Sequence, residues 1–283
     1  MTTVWVNGRL VDPDRPALLP LDRGFTLGDG LFETMRAYGG RIFRLQEHLA
    51  RLEAGLLRLK LPVPAGLKDA VLETLAASGH RDAMVRLTVS RGPDGEDGLE
   101  ATSHPTVVVS AKAYAPDPRW YEDGIRAAVV SARVNEFAAT AGLKQIGYLE
   151  PLRAQAEAKA AGADEAIRLD TQGHVAEGGM SNVFLVVEGV LRTAPASCGI
   201  LPGITRAAVL ELAGDQGLEV FTAPIPPSAL ERASEIFITS SLRELVPVTR
   251  LNGRPVGDGR PGPITLRLLA AYRALTRETG TPS

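Results

Sequence analysis

The chain has 283 residues, 45% of them hydrophobic, and a formal net charge of −2. Such a length accommodates one large domain or two, and such an apolar share supplies a sizeable core. The near-neutral balance argues against nucleic acid or an anionic membrane as partner, and no apolar run is long enough for a membrane span or a signal peptide.

Along the chain, Thr3–Asn7 and Phe32–Tyr38 read as strands. Leu45, Leu49, Leu52, Leu56 and Leu59 recur three or four residues apart, which predicts a helix over 44–61 with one apolar stripe. On another stripe Arg44, Arg51 and Arg58 recur every seven residues, and Arg44 and Arg58 read as a solvated face. A second helix is expected over 67–77. Met84–Ser90 alternates, with Val85, Leu87 and Val89 on one face and Arg86 on the other, and 106–110 is a further strand. These elements suggest an α+β domain with an antiparallel sheet. The two prolines of Ala115-Pro-Asp-Pro118 break the pattern. We therefore expect a small domain over 1–115, a linker over 116–122 and a larger domain over 123–283.

In that second part Ile125–Ser131 reads as a strand. Residues 149–161 read as a helix of strong helix formers, with Pro151 in its first turn and a stop at Gly162. A strand follows at Glu165–Leu169, then the turn Asp170–Gly173, an element from Val175 to Asn182, and the apolar strand Val183–Val187. A helix over Ala207–Ala213 and a strand over Glu235–Ile238 complete the reading, and the tail after Thr276 is expected to be loose. The single cysteine, Cys198, excludes internal disulfides and fits a reducing cytoplasm. Four scattered histidines (His48, His80, His104, His174) give no metal-ligand spacing. No glycine-rich nucleotide loop follows a strand.

Lys144 stands out among the few lysines. It lies in Thr140-Ala-Gly-Leu-Lys144-Gln-Ile-Gly-Tyr148-Leu, an apolar stretch broken by two glycines. Desolvation disfavours an ammonium, and a neutral amine can attack a carbonyl to form a Schiff base. Read alone, Lys144 is better explained as a side chain that buries its stem and keeps its head in water. Glu177, in Val175-Ala-Glu177-Gly-Gly-Met-Ser-Asn182, is either a solvated strand-end carboxylate or the partner of a protonated ring nitrogen. Leu201-Pro-Gly203-Ile204-Thr205-Arg206 opens a helix. Its glycine and unpaired N–H groups suit an anion, although an ordinary helix start has the same composition.

Taken together, Lys144, Ala163-Asp-Glu-Ala166, Val175-Ala-Glu177-Gly and Ser181-Asn182-Val-Phe184 resemble the signature of the class IV aminotransferases, the fold-type IV enzymes of pyridoxal 5'-phosphate (PLP). The likeness extends to Leu21-Asp-Arg-Gly-Phe-Thr-Leu-Gly-Asp-Gly30, Leu31-Phe-Glu-Thr-Met-Arg36, His48-Leu-Ala-Arg51-Leu, Leu201-Pro-Gly-Ile-Thr-Arg206 and Thr239-Ser-Ser-Leu-Arg-Glu244, and so covers nearly the whole chain. The resemblance implies a two-domain α+β fold: a small α+β domain, and a larger one with a β-barrel-like core. It implies a homodimer, with PLP between the domains.

It assigns Lys144 to the Schiff base and to proton transfer, and Glu177 to the pyridine nitrogen. Leu201 would pack on the ring face. Arg51, Gly203, Ile204, Thr205, Ser240 and Ser241 would form the phosphate cradle. Ser241 and Leu242 would also meet the substrate carboxylate, Phe32 would wall the pocket, and Arg86 and Arg36 read either as carboxylate ligands or as charged rim residues. Tyr148 reads either as a hydrogen-bond partner of the ring oxygen or as a core residue, since the branched-chain enzymes place their tyrosine one residue further from the lysine. His48 reads as structural.

The loop 93–104 lacks the Arg-x-His of the D-amino-acid branch, and Glu96 and Asp97 would repel the dianionic substrate of the lyase branch. The expectation is a cytoplasmic, PLP-dependent aminotransferase acting on an amino donor and a 2-oxo acid. The alternatives are an aminodeoxychorismate lyase that releases pyruvate, and a non-catalytic PLP-binding protein.

Overall fold

The alternating run at 84–90 and the apolar run at 31–37 form the central pair of an antiparallel sheet. Its strands are β1 (Thr3–Val6), β2 (Arg9–Val11), β3 (Gly30–Tyr38), β4 (Arg41–Ile42), β5 (Ala83–Ser90) and β6 (Thr106–Ala113), joined by the short strand Thr281–Pro282. The order across this 7-stranded sheet is Thr281–Pro282, β4, β3, β5, β6, β1, β2. The computed structural model describes residues 1–15, 17–93 and 104–282. It divides into two units, the first being Met1–Ala115, Leu143–Gly147 and Thr276–Ser283, the second Pro116–Gly142 and Tyr148–Leu275.

In the first unit, cross-strand partners Leu31↔Val89, Glu33↔Leu87 and Met35↔Val85 share one face of the sheet. The short helix α1 (Arg23–Thr26) precedes β3, and α2 (Leu45–Arg58) and α3 (Leu67–Ser78) follow it. Leu45, Leu49, Leu52 and Leu56 of α2 and Val71 and Leu75 of α3 join Leu31, Met35, Val85 and Leu87 in one core. Each such side chain contributes about 1.5–3 kcal/mol on burial. α2 starts one residue later than the leucine pattern suggests. Arg44 takes a left-handed backbone (φ 51) and is half-buried, its guanidinium near the Phe43 ring, so it does not belong to the solvated stripe. Arg91 is fully buried. It donates to the carbonyls of Leu59 and Lys60 just past α2, and to Asp29 just before β3.

Two segments that the sequence reading leaves to the C-terminal domain group instead with the first unit. Leu143–Gly147 runs along β3: Phe32 N donates to Lys144 O at 2.8 Å and Ile146 N to Gly30 O at 3.0 Å. Thr281 pairs with Ile42, so the tail expected to be loose carries a strand.

The second unit contains β7 (Ile125–Val129), β8 (Glu165–Leu169), β9 (Val175–Gly178), β10 (Asn182–Val187), β11 (Val190–Thr193), β12 (Val220–Thr222), β13 (Glu235–Ser240), β14 (Glu244–Leu251) and β15 (Arg254–Pro255). The chain of pairings β10-β13-β14-β7-β8-β9 closes on itself through Asn182↔Glu177, giving a six-stranded barrel that leaves no open edge in the ring. The continuous apolar run 183–187 is buried throughout, and Phe184 stacks on Phe237 of β13 at 4.9 Å. Around these strands lie α4 (Arg119–Glu122), α5 (Leu149–Ala160), α6 (Ile204–Asp215), α7 (Ser228–Arg232) and α8 (Pro263–Glu278). The segment 116–122, expected as linker, is helical at α4 and buries Tyr121, whose hydroxyl donates to Arg243 O. No helix among the described residues is long and apolar enough to cross a membrane.

Candidate active site

In the first unit the lysine is placed by β3. With the 143–147 segment hydrogen-bonded along that strand, Lys144 is half-buried and its Nζ lies 4.6 Å from the centre of the Phe32 ring. Arg86 projects from β5 on the same side, its guanidinium 3.6 Å from that ring. Phe32 is thus a buried wall, met by the guanidinium of Arg86 from β5 and by the amine of Lys144 from the 143–147 segment. Arg36, four residues further along β3, lies over Tyr38 at 4.3 Å and near Tyr114 at 5.4 Å, so the ring it meets is not that of Phe32.

The opposite face of β3 carries Glu33, which the sequence reading did not single out. Arg51 of α2 grips it with two nitrogens: Nε to Oε1 at 2.7 Å and Nη2 to Oε2 at 2.6 Å. His48 Nδ1 lies 2.7 Å from Oε2. Burial opposes the ionisation of Glu33. The charge of Arg51 and the hydrogen bonds from His48 and Arg51 outweigh it and bring the carboxyl down to about 2. His48, fully buried, is held below its ordinary value first by desolvation, against the pull of Glu33 and with the charges of Arg51 and Lys144 adding to the effect. The structural role expected for His48 is therefore concrete: a neutral imidazole completing the fixation of Arg51.

In the second unit Glu177 lies one residue before the end of β9, directly across from Arg168 on β8 and Asn182 on β10. Glu177 Oε2 accepts from the Leu201 amide at 2.9 Å, and Oε1 lies 3.7 Å from Arg168 Nη1. Asn182 Nδ2 donates to Leu201 O at 2.9 Å. One strand-end carboxylate and one strand-start amide therefore hold both sides of the Leu201 peptide, which sets the entry to α6. Gly203 is the N-cap of α6, and no side chain caps that terminus. A Cβ at Gly203 would collide with Asn182 Oδ1, so the close approach here is between the glycine and the barrel.

Ile204 and Thr205 form the first turn of α6 and are buried, with Thr205 Oγ1 3.5 Å from Tyr272 Oη. Thr239, paired with Asn182, has a buried hydroxyl oxygen without a hydrogen-bond partner. Ser240, Ser241 and Leu242 form the turn between β13 and β14, closed by Arg243 N donating to Ser240 Oγ at 3.2 Å. Tyr148 is half-buried at the N-cap of α5, outside the core.

The chemistry of these groups fits PLP. An uncapped helix start, a glycine with no room for a side chain and an orphaned hydroxyl suit a phosphate. Glu177 suits a ring nitrogen, and Lys144 an aldehyde. Phe32, Arg86 and Lys144 are gathered around one ring, while Arg51 is reached through Glu33. In the second unit Glu177, Leu201, Gly203, Ile204 and Thr205 are contiguous through Asn182. Sequence reasoning passed over Glu33, Asn182 and Arg168. The first two stand inside motifs already quoted, and a charge within an apolar strand was the available signal for Glu33 and Arg168. The loop 94–103, with Glu96 and Asp97, lies outside the described residues.

A family model described as "Amino-transferase class IV" matches residues 30–251. The chain is 37% identical over 281 residues to a Methanocaldococcus jannaschii protein provisionally named a branched-chain-amino-acid aminotransferase, covering 98% of this chain and 97% of that one. It is 32% identical to the D-alanine aminotransferase of Bacillus licheniformis, over 95% of each. The crystal structure of the Escherichia coli branched-chain amino acid aminotransferase superposes with a TM-score of 0.92 at 30% identity, covering 97% of this chain and 94% of that one. The T.th. branched-chain amino acid aminotransferase with pyridoxamine 5'-phosphate gives 0.90 at 32%, covering 98% and 95%. The chain belongs to the class IV aminotransferases, as a PLP-dependent enzyme of that family.

Proposed function

We propose that Lys144 and Glu177 hold PLP by its aldehyde and its pyridine nitrogen, and that the chain uses it to move an amino group between an amino acid or amine and a 2-oxo acid. The observation that carries this reading is the joint presence of a half-buried lysine fixed along β3 and a carboxylate fixed beside the uncapped start of α6. When bound, PLP supplies an electron sink for the bond-breaking at the substrate's Cα.

The chain's own residues do the rest. Lys144 Nζ would hold the cofactor by its aldehyde and would supply the amine that moves the proton at the substrate's Cα. Glu177 keeps the ring nitrogen protonated. The first-turn amides of Ile204 and Thr205, the hydroxyls of Thr205, Ser240 and Ser241, and the guanidinium of Arg51 receive the phosphate, with Glu33 and His48 fixing the Arg51 side chain. Leu201 would line the ring, and Tyr148 would serve its phenolic oxygen. Phe32 walls the substrate side. Arg86, Arg36, and the Ser241 and Leu242 amides meet a carboxylate.

The relatives carry aminotransferase names, which favours transfer over the lyase and the non-catalytic alternative. A homodimer, which the family resemblance implies, completes the reading, and the single buried cysteine fits a reducing cytoplasm.

The visible spectrum of the purified protein tests the reading, with D-alanine, L-glutamate, L-leucine or (R)-1-phenylethylamine added separately. A yellow band that one donor bleaches, and that Lys144→Ala lacks in its lysine-linked form, is expected. A yellow protein bleached by no donor argues for the lyase or the non-catalytic carrier, and a colourless protein after PLP addition overturns the reading.

A further inference from the structure

Several groups of buried charge among the described residues lie outside the roles assigned above. Asp29 with Arg23 and Arg91 ties loop to helix, and Glu165 with Arg243 ties the 179–181 turn to the β13–β14 turn, since Gly179 N and Ser181 Oγ also donate to Glu165. Arg168 differs, because its charge bears on a residue assigned to the cofactor.

Arg168 stands opposite Glu177 in the β8–β9 pairing, so the two side chains share one face of the barrel wall. It is 6% exposed. Its Nη2 donates to Arg133 O at 2.8 Å, which fixes the guanidinium, and its Nη1 lies 3.7 Å from Glu177 Oε1. A guanidinium stays protonated even when buried. A partly desolvated carboxylate beside a ring nitrogen shares one proton with it, and desolvation favours the neutral acid. A fixed positive charge on the far side of the carboxylate favours the ionised form instead. At this separation the effect on the proton's position is on the order of a hundredfold.

We infer that Arg168 is a positioning residue that keeps Glu177 ionised, so that the shared proton rests on the ring nitrogen of the cofactor. This rests on the reading that Glu177 faces that nitrogen. It adds a second layer: the electron-withdrawing strength of the ring is set by a strand partner that touches neither cofactor nor substrate.

The test loads the wild type, Arg168→Gln, Arg168→Lys and Glu177→Gln with PLP labelled with 15N in the ring, and reads the nitrogen resonance at one pH. The wild type is expected at the pyridinium position, Glu177→Gln at the neutral-pyridine position, Arg168→Gln displaced part of the way, and Arg168→Lys with the wild type. A roughly tenfold fall in kcat at unchanged KM should accompany Arg168→Gln and be rescued by lysine. An Arg168→Gln resonance at the wild-type position, with Glu177→Gln shifted, overturns the inference and leaves the Glu177 reading standing. If Glu177→Gln itself does not move the resonance, the Glu177 reading falls. Equal shifts in both Arg168 variants show that charge is not the cause, and a shifted Arg168→Lys overturns the inference even if Arg168→Gln does not fold.

Discussion

Glu33 and Glu177 are both carboxylates on strands, and their surroundings differ in a way that separates support from chemistry. Glu33 is 1% exposed and meets three nitrogens of Arg51 and His48 at 2.6–2.7 Å. Glu177 has 17% of its side chain exposed, with a backbone amide at 2.9 Å and a guanidinium at 3.7 Å. Bidentate contact at short range neutralises the first carboxylate and spends its charge on orienting Arg51. The looser arrangement leaves more of the second carboxylate's field for a cationic ring nitrogen. In this fold the tightly paired carboxylate positions another side chain, and the loosely paired one is suited to meet a ligand.

The largest expected effect breaks the chemistry and leaves both carboxylates in place. On the proposed reading Lys144→Ala removes the attachment point and the proton carrier together, and should lower kcat by at least about a thousandfold, at the upper part of the usual range for a general acid–base group. The protein should still melt close to wild type, because Lys144 sits on a segment held by backbone hydrogen bonds. Single-turnover kinetics with a bleaching donor checks the first point, and a thermal scan of the cofactor-free protein the second.

Next in size is Glu33→Ala, which aims at the supporting region. It leaves a guanidinium and an imidazole facing a buried cavity, and breaking a buried pair from one side costs about 3–5 kcal/mol. Denaturant titration of the cofactor-free protein should show a loss of that order, and cofactor retention should fall as Arg51 loses its fixed orientation. The corresponding truncation Glu177→Ala should cost clearly less stability and more activity. Equal stability losses at the two sites would remove the distinction.

How much of this was legible in sequence follows the range of the interactions. α2 and β5 announce themselves because their burial is periodic and local: every third or fourth leucine in one, every second residue in the other. β14 did not, because Pro247 argues against a paired strand, yet it pairs with Phe237 of β13. α8 takes its cap from outside the local sequence. Its first amides, Ile264 N and Thr265 N, are received by Glu235 from a distant strand. Lys144 could be picked out by its setting, whereas its attachment to β3 could not, since only long-range backbone pairing decides it. The same holds for Glu33, whose partners come from another element, and for Arg168, whose partner is fixed by strand register.

A smaller effect probes the entry to α6. Gly203→Ala places a methyl group against Asn182 Oδ1, which is itself fixed by its bond to Leu201 O. Overpacking of this kind costs about 1–3 kcal/mol. The loss should come with weakened phosphate binding, read as a higher PLP dissociation constant, because the clash displaces the first turn of the helix. Stability lost without any change in PLP affinity would place the cradle elsewhere.

The smallest effect is a pH dependence confined to the supporting region. Folding holds His48 below its ordinary value near 6.5, so as pH falls through that value the unfolded chain takes up a proton that the folded protein declines. Stability should therefore decline below about pH 6.5, by at most about 1.4 kcal/mol per pH unit for this one site. Glu33 acts in a lower window. Its folded value near 2 lies below the ordinary 4.5, so its contribution is whole above about 4.5 and is lost as pH falls toward 2. His48→Asn keeps a side-chain nitrogen near the carboxylate and removes the titration. Denaturation midpoints measured between pH 7 and 5 should then be flatter than in the wild type, while the steeper loss below 4.5 remains. A variant with the wild-type slope between 7 and 5 would mean that folding leaves the proton affinity of the imidazole unchanged, whereas a wild type that gains stability relative to the variant as pH falls would mean that the folded imidazole is protonated and that Arg51 shares Glu33 with a second cation.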